Sequence, residues 1–170
     1  DAIVGPSLGP NNYVVSVIKA GGMEGMDMMS VHPYSNNFTG SPESNGLRQR
    51  IRDYHKMVKD NLGRDIFLYA TEFGWPTPPE GPSAGNTETI QAQYTVRETI
   101  ELYAENVRGI TPYCLGQDEA DRADREHYFG LVRKNLEPKP VLLAYANAGR
   151  LLEGSAFVGD IWISKDVGAM

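Results

Sequence analysis

The chain of 170 residues has the length of one domain, and an apolar share of 41% with a charged share of 22% fits a globular protein able to build a core. Its formal net charge of −6, with no run of Lys or Arg, argues against nucleic acid and against an anionic membrane surface as partners. The single cysteine, Cys114, excludes an internal disulfide and a cysteine metal cluster, and no apolar run approaches the ~20 residues of a membrane-spanning helix.

Four short apolar runs read as strands, each followed by a segment that can be helical. Ala2–Val4 precedes Asn11–Ala20, which carries Val14, Val17 and Ile18 and stops at Gly21-Gly22. Met28–Val31 precedes a helix from about Pro42 to Leu62, where Leu47, Ile51, Tyr54 and Val58 step by four and three to form one apolar stripe. Ser41-Pro42 suits its cap and first helical position, and Gly63 its stop. Ile66–Ala70 precedes Thr87–Asn106, with Val96, Ile100, Tyr103 and Val107 expected on the buried face. Arg108–Leu115 precedes Pro140–Leu152, with Val141, Leu142, Tyr145 and Leu151 apolar.

Strand–helix alternation repeated four times calls for a parallel α/β fold. The strand spacing fits the ~31 residues per unit of a (β/α)8 barrel of ~250 residues, but the count is half, and a small open sheet is also compatible with the length. The strand ends favour the barrel. They run into Gly5-Pro6-Ser7, His32-Pro33-Tyr34, Thr71-Glu72 and Gln117-Asp118-Glu119, all special or polar residues. Barrel active sites are assembled at that face, with contributions from several strands. The Pro- and Gly-rich loop from Trp75 to Asn86 suits a cleft wall. After Gly154, Ala156–Ile163 alternates weakly and reads as the opening strand of a further segment, 155–170.

The stretches "MDMMSVHPYS", "IFLYATEFGWPT", "PYCLGQDE" and "EHYFGLVRKNLEPKPVLLAYANAGRLL" resemble the C-terminal half of clan-A glycoside hydrolases, in particular family 39 and family-5-like enzymes. The resemblance runs over residues 1–154. It implies an α/β half barrel, strands five to eight of a TIM barrel, with Glu72 ending strand seven. In that group this position holds the nucleophile of a retaining mechanism, a carboxylate that attacks the anomeric carbon. Such a carboxylate needs donors around it to stay ionised. His32 and Tyr34, two residues apart at the end of the preceding strand, fall on one side by strand alternation. Trp75 offers an apolar platform for a sugar face, and Asp118 a polar subsite contact.

Plainer readings stand beside these. Glu72 pairs with an arginine such as Arg48 or Arg108; His32 is a satisfied strand-end histidine; Trp75 closes the barrel mouth; Asp118 and Glu119 belong to a solvated loop. Glu43, ahead of a helix, is explained by the helix dipole alone.

A retaining glycosidase also needs an acid/base carboxylate ~5–5.5 Å from the nucleophile. In the clan it ends strand four within an Asn-Glu pair, and no such pair ends a strand here. The expectation is therefore a catalytic-domain fragment that carries the nucleophile, lacks the proton donor and is inactive alone. Its barrel would be completed by a missing N-terminal half or by a homodimer. The alternative is a non-catalytic carbohydrate-binding or scaffold half barrel. A metal-dependent hydrolase built on His32 and Glu72 is disfavoured, since His55 falls mid-helix and His127 in a charged loop. No cofactor or metal is expected, and the partner class is an oligo- or polysaccharide. The chain opens on Asp1 rather than Met, so the lack of a leader pattern carries no weight; the resemblance leans towards a secreted or periplasmic location. Sugar and linkage specificity lie beyond these residues.

Overall fold

The structure, a computed structural model, describes residues 4–5, 12–35, 38–81 and 84–161. Its elements follow in strict alternation: β1 (Val4–Gly5), α1 (Asn12–Lys19), β2 (Met28–Val31), α2 (Leu47–Leu62), β3 (Phe67–Ala70), α3 (Glu88–Ala104), β4 (Val107–Ile110) and α4 (Pro140–Leu152). The strands form one sheet in the order β1-β2-β3-β4, every neighbouring pair parallel.

That order separates the two architectures left open by length. Met29, Val31, Leu68, Ala70 and Val107 point from the sheet into one core with Val14 and Ile18 of α1, Leu47, Ile51, Tyr54 and Val58 of α2 and Leu102 of α3. The helices therefore cover one face only, as in half of a barrel, whereas an open doubly wound sheet carries helices on both faces. The alternate strand residues turn to the opposite face. There Val4 and Phe67 are about two-fifths exposed, and the Arg108 guanidinium lies 4.6 Å from the Phe67 ring centre. Gly109 belongs to that inner face too: a Cβ on it would stand 2.4 Å from the Tyr69 ring.

Helix α2 shows how the sequence pattern becomes structure. The stripe Leu47, Ile51, Tyr54 and Val58 is buried along its whole length, each side chain contributing about 1.5–3 kcal/mol by leaving water. Gly63, at φ 74°, takes the left-handed conformation that stops the helix, and its N–H donates to the Lys59 carbonyl. The start differs from the expected Pro42. Residues 42–46 form turns, Gly46 is the N-cap at φ 64°, and Ser41 Oγ accepts from the Ser44 N–H instead of starting a helix. Glu43 lies in that turn and pairs with Arg97 rather than sitting on a helix dipole.

Helix α3 departs more deeply from expectation. Thr87 caps it, accepting from the Ile90 N–H at 3.2 Å, but the buried face is Gln91, Ala92, Thr95, Glu98, Thr99 and Leu102. Ile100 is 47% exposed. Gln91 and Glu98 meet polar atoms of Trp75 in the segment after β3, and Thr99 Oγ1 donates to the Thr95 carbonyl within the helix. Strand β4 ends at Ile110, five residues before the expected Leu115, and Leu151 of α4 is exposed. Residues 155–161 carry no strand; Asp160 pairs with Arg48 at 2.7 Å and Phe157 lies under its guanidinium, so this stretch lies against α2. Ala2, Ile3, Pro6, Ser7, Trp162 and Ile163 fall outside the described residues.

Candidate active site

Strand pairing of β3 ends at Ala70, and the three residues that follow part company. Thr71 stays on the inner face, where its hydroxyl meets Ser30 Oγ and lies 3.0 Å from His32 Nε2. Phe73 turns into the core and is fully buried. Glu72, between them, is left at the C-terminal mouth of the sheet with its side chain 41% exposed. It pairs with neither candidate arginine: Arg48 is held by Glu105 and Asp160, and Arg108 stacks on Phe67.

Two groups from the end of β2 converge on one oxygen of Glu72. Tyr34 donates its hydroxyl to Oε2 at 3.2 Å, and His32 Nδ1 approaches the same atom at 3.4 Å. The other ring nitrogen, Nε2, is hydrogen-bonded to the Thr71 hydroxyl, so the imidazole lies between Thr71 and Glu72. Among the described residues, Oε1 accepts no hydrogen bond. Burial, with the Glu72 charge adding to it, pushes the Tyr34 phenol far above its ordinary range, so Tyr34 stays a donor throughout the accessible pH range.

Tyr34 is held from behind. Arg50 of α2 donates from Nη1 to the Tyr34 carbonyl at 2.8 Å and from Nη2 to the Pro33 carbonyl at 3.2 Å. Edge-to-face contacts surround its ring, with Phe38 at 5.3 Å and Phe129 at 6.0 Å; Tyr113 meets Phe129 at 5.2 Å. The Phe-Gly-Trp that follows Glu72 also has a packing cause. A Cβ on Gly74 would lie 2.6 Å from the Tyr113 carbonyl, so glycine is what lets the post-β4 loop close against this segment.

Trp75 is a correction to the sequence reading. It is 1% exposed, its Nε1 donates to Glu98 Oε2 at 3.0 Å, and its ring meets Tyr94 edge-on at 4.9 Å. A ring so enclosed offers no face to a sugar; it packs between the segment after β3 and helix α3. Asp118 stands on the exposed loop after β4, bonded to His127 Nδ1 and accepting from the Ala120 N–H at 3.0 Å. Those bonds are internal to the loop, and they do not bring Asp118 into the Glu72 cluster.

Residues that the pattern of the sequence did not single out complete the site's frame. Gln91 donates to the carbonyls of Trp75 and Phe129 at 2.8 and 3.1 Å. Lys139, fully buried at the start of α4, donates to Thr77 Oγ1 at 3.0 Å and Gln117 Oε1 at 3.1 Å, tying together the loops after β3 and β4. Burial lowers its ammonium to about 8. The polar residues 91, 95 and 98, spaced four and three apart, were the available signal for a buried polar stripe. Among the described residues no three His, Cys, Asp or Glu side chains converge to hold a metal ion.

The fold is shared with glycoside hydrolases. A family 39 glycoside hydrolase from Bacteroides cellulosilyticus WH2 superposes with a TM-score of 0.71 and 23% identity over 91% of this chain and 33% of that one. A GH39 β-xylosidase from Caulobacter crescentus gives a TM-score of 0.58 at 19% identity, covering 86% and 32%. GH5_18 from Streptomyces cattleya, in complex with GlcNAc, gives 0.59 at 20% identity, covering 81% and 34%. The chain thus has the α/β fold of these structures as half of a TIM barrel, and it spans about a third of the length of these chains. No family model matches it, and no curated protein sequence does.

Proposed function

We propose that Glu72 is the nucleophile of a retaining O-glycoside hydrolase and that this chain supplies the nucleophile side of the active site. The observation that carries the reading is the convergence of Tyr34 and His32 on Oε2 of an otherwise exposed strand-end carboxylate. The Tyr34 hydrogen bond, with His32 beside the same oxygen, orients the carboxylate and leaves Oε1 to attack the anomeric carbon. The C1–O bond to the leaving group breaks as the Oε1–C1 bond forms, and water later displaces the glycosyl group from Glu72. Tyr34 and His32 stabilise the carboxylate when it is released. The half-buried rings of Phe38 and Tyr113 flank this mouth and suit the apolar face of a pyranose in place of Trp75.

Among the described strand ends Glu72 is the one carboxylate. The proton donor therefore comes from other strands, and these residues alone would bind without turnover. The uncovered inner face around Val4 and Phe67 is where a further four-stranded layer would close the barrel, from more polypeptide or from a second copy. The partner is an oligo- or polysaccharide. The direct test is trapping with activated 2-deoxy-2-fluoro glycosides, the adduct being mapped by peptide mass spectrometry. An adduct on Glu72 that is lost in Glu72→Gln supports the reading; one on another carboxylate rejects it.

A further inference from the structure

The inner face of the sheet carries a chain of polar groups that ends at Glu72. Ser30 of β2 is 5% exposed, and its hydroxyl meets the Thr71 hydroxyl beyond the end of β3. Thr71 Oγ1 lies 3.0 Å from His32 Nε2, and Nδ1 on the other side of that ring lies 3.4 Å from Glu72 Oε2. Strand alternation accounts for the alignment. Ser30 pairs in register with Tyr69, so Ser30 and His32 on one strand and Thr71 on the next stand on the same side. The direction of the protons along this chain follows from its buried end. A hydroxyl has one proton to give. Among the described residues, Ser30 Oγ has no hydrogen-bond partner other than Thr71, so a Ser30 proton turned elsewhere would be a buried donor left unmade. Ser30 therefore donates to Thr71, and Thr71 is left to donate to His32 Nε2. That nitrogen must accept, which puts the proton of the neutral ring on Nδ1, towards Glu72. The far end agrees, since a bare Nδ1 would aim its lone pair at a carboxylate oxygen.

We infer that Ser30 and Thr71 are positioning residues that fix the tautomer of His32, so that its ring presents an N–H rather than a lone pair to Glu72. Both hydroxyls act through His32: Thr71 touches the ring, and Ser30 sets which way Thr71 points. Tyr34 reaches the same carboxylate oxygen on its own, at 3.2 Å, and its ring meets His32 edge-on at 6.4 Å. The consequence for catalysis, a carboxylate steadied at Oε2 with Oε1 free, rests on Glu72 being the nucleophile. The tautomer itself does not.

The tautomer is read by NMR on the full chain labelled with 15N at histidine, from long-range ring 1H–15N correlations that separate protonated from bare nitrogens. Spectra are taken at a pH where all three histidine rings are neutral, and the His32 signals are assigned by their loss in His32→Gln. His55, whose Nε2 meets the Glu105 carbonyl, and His127, bonded to Asp118, are internal controls. Wild-type His32 is expected to carry its proton on Nδ1, the reverse of the tautomer that free histidine favours. Ser30→Ala removes an oxygen whose bond is to Thr71, not to His32, and is expected to move the tautomer ratio about five-fold towards Nε2–H, the worth of one typical hydrogen bond. Thr71→Val moves it at least as far, and Thr71→Ser restores the wild-type ratio. A packing role alone would leave the ratio unmoved in Ser30→Ala. An Nε2–H ring in the wild type, a ratio unchanged in Ser30→Ala, or Thr71→Ser behaving as Thr71→Val overturns the inference. These outcomes describe the folded chain before any chemistry, so they are distinct from a failure to trap Glu72, which rejects the glycosidase reading alone.

Discussion

Replacing Glu98 by glutamine is predicted to stabilise the protein, and to do so increasingly as pH rises. The side chain is 2% exposed on the inner face of α3, and burial lifts its carboxyl from the ordinary 4.5 to about 8. Between those values the folded chain keeps a proton that the unfolded chain has lost. Stability contributed by this group is therefore full below about pH 4.5 and falls as pH rises towards 8. At about 1.4 kcal/mol per pH unit, the loss accumulates to about 3 kcal/mol by pH 7 and about 5 kcal/mol by pH 8. Glutamine keeps an oxygen for the Trp75 indole N–H and has no proton to lose. Urea unfolding of both proteins at pH 5, 6, 7 and 8, extrapolated linearly, gives the difference free of the other carboxylates, which are shared. A difference that grows by about 1.4 kcal/mol per pH unit from pH 5 to 7 and flattens towards pH 8 is expected; parallel stability curves would rule it out.

Three further substitutions probe the frame of the site. Gly74→Ala forces a methyl to within 2.6 Å of the Tyr113 carbonyl, a backbone atom that cannot swing away, and should cost about 2–4 kcal/mol by thermal or urea unfolding. Lys139→Ala removes the tie between Thr77 and Gln117 and opens a cavity; a loss of about 2–4 kcal/mol is expected, with hydrogen exchange rising in both loops. Tyr34→Phe keeps the aromatic cluster and deletes one donor to Glu72; in the completed enzyme the rate of glycosylation should fall by about 10- to 100-fold, in line with one charge-assisted hydrogen bond, with little change in stability.

The parts of the fold that could be read in the sequence are those where one physical rule dominates. The four-three stripe of α2 and its Gly63 stop, and the exact span of α4 from Pro140 to Leu152, follow from apolar periodicity and from capping chemistry. His32, Tyr34 and Glu72 were legible because polar residues abruptly follow buried runs, and the structure brings the three together. Helix α3 misled for the converse reason. Its buried face is lined with Gln91, Thr95 and Glu98, whose partners are Trp75 and carbonyls distant in sequence, so a rule seeking apolar stripes chose Ile100 and Val96 instead. Trp75 shows the same limit. A tryptophan beside a strand-end carboxylate reads equally as platform or plug, and only the location of Glu98 on the next helix decides it. Nor could Arg50 be found from α2 alone, since its two acceptors are backbone carbonyls of a loop.

The proposed chemistry turns on a covalent bond between sugar and the carboxylate at the end of β3. Intact-mass and peptide-mapping measurements after incubation with activated 2-deoxy-2-fluoro glycosides, in the protein with its barrel completed, test it most directly. A single glycosyl adduct on Glu72, absent in Glu72→Gln, is the expected result. Glycoside turnover that persists undiminished in Glu72→Gln, or an adduct on Asp118, Glu119 or any other carboxylate, would contradict it.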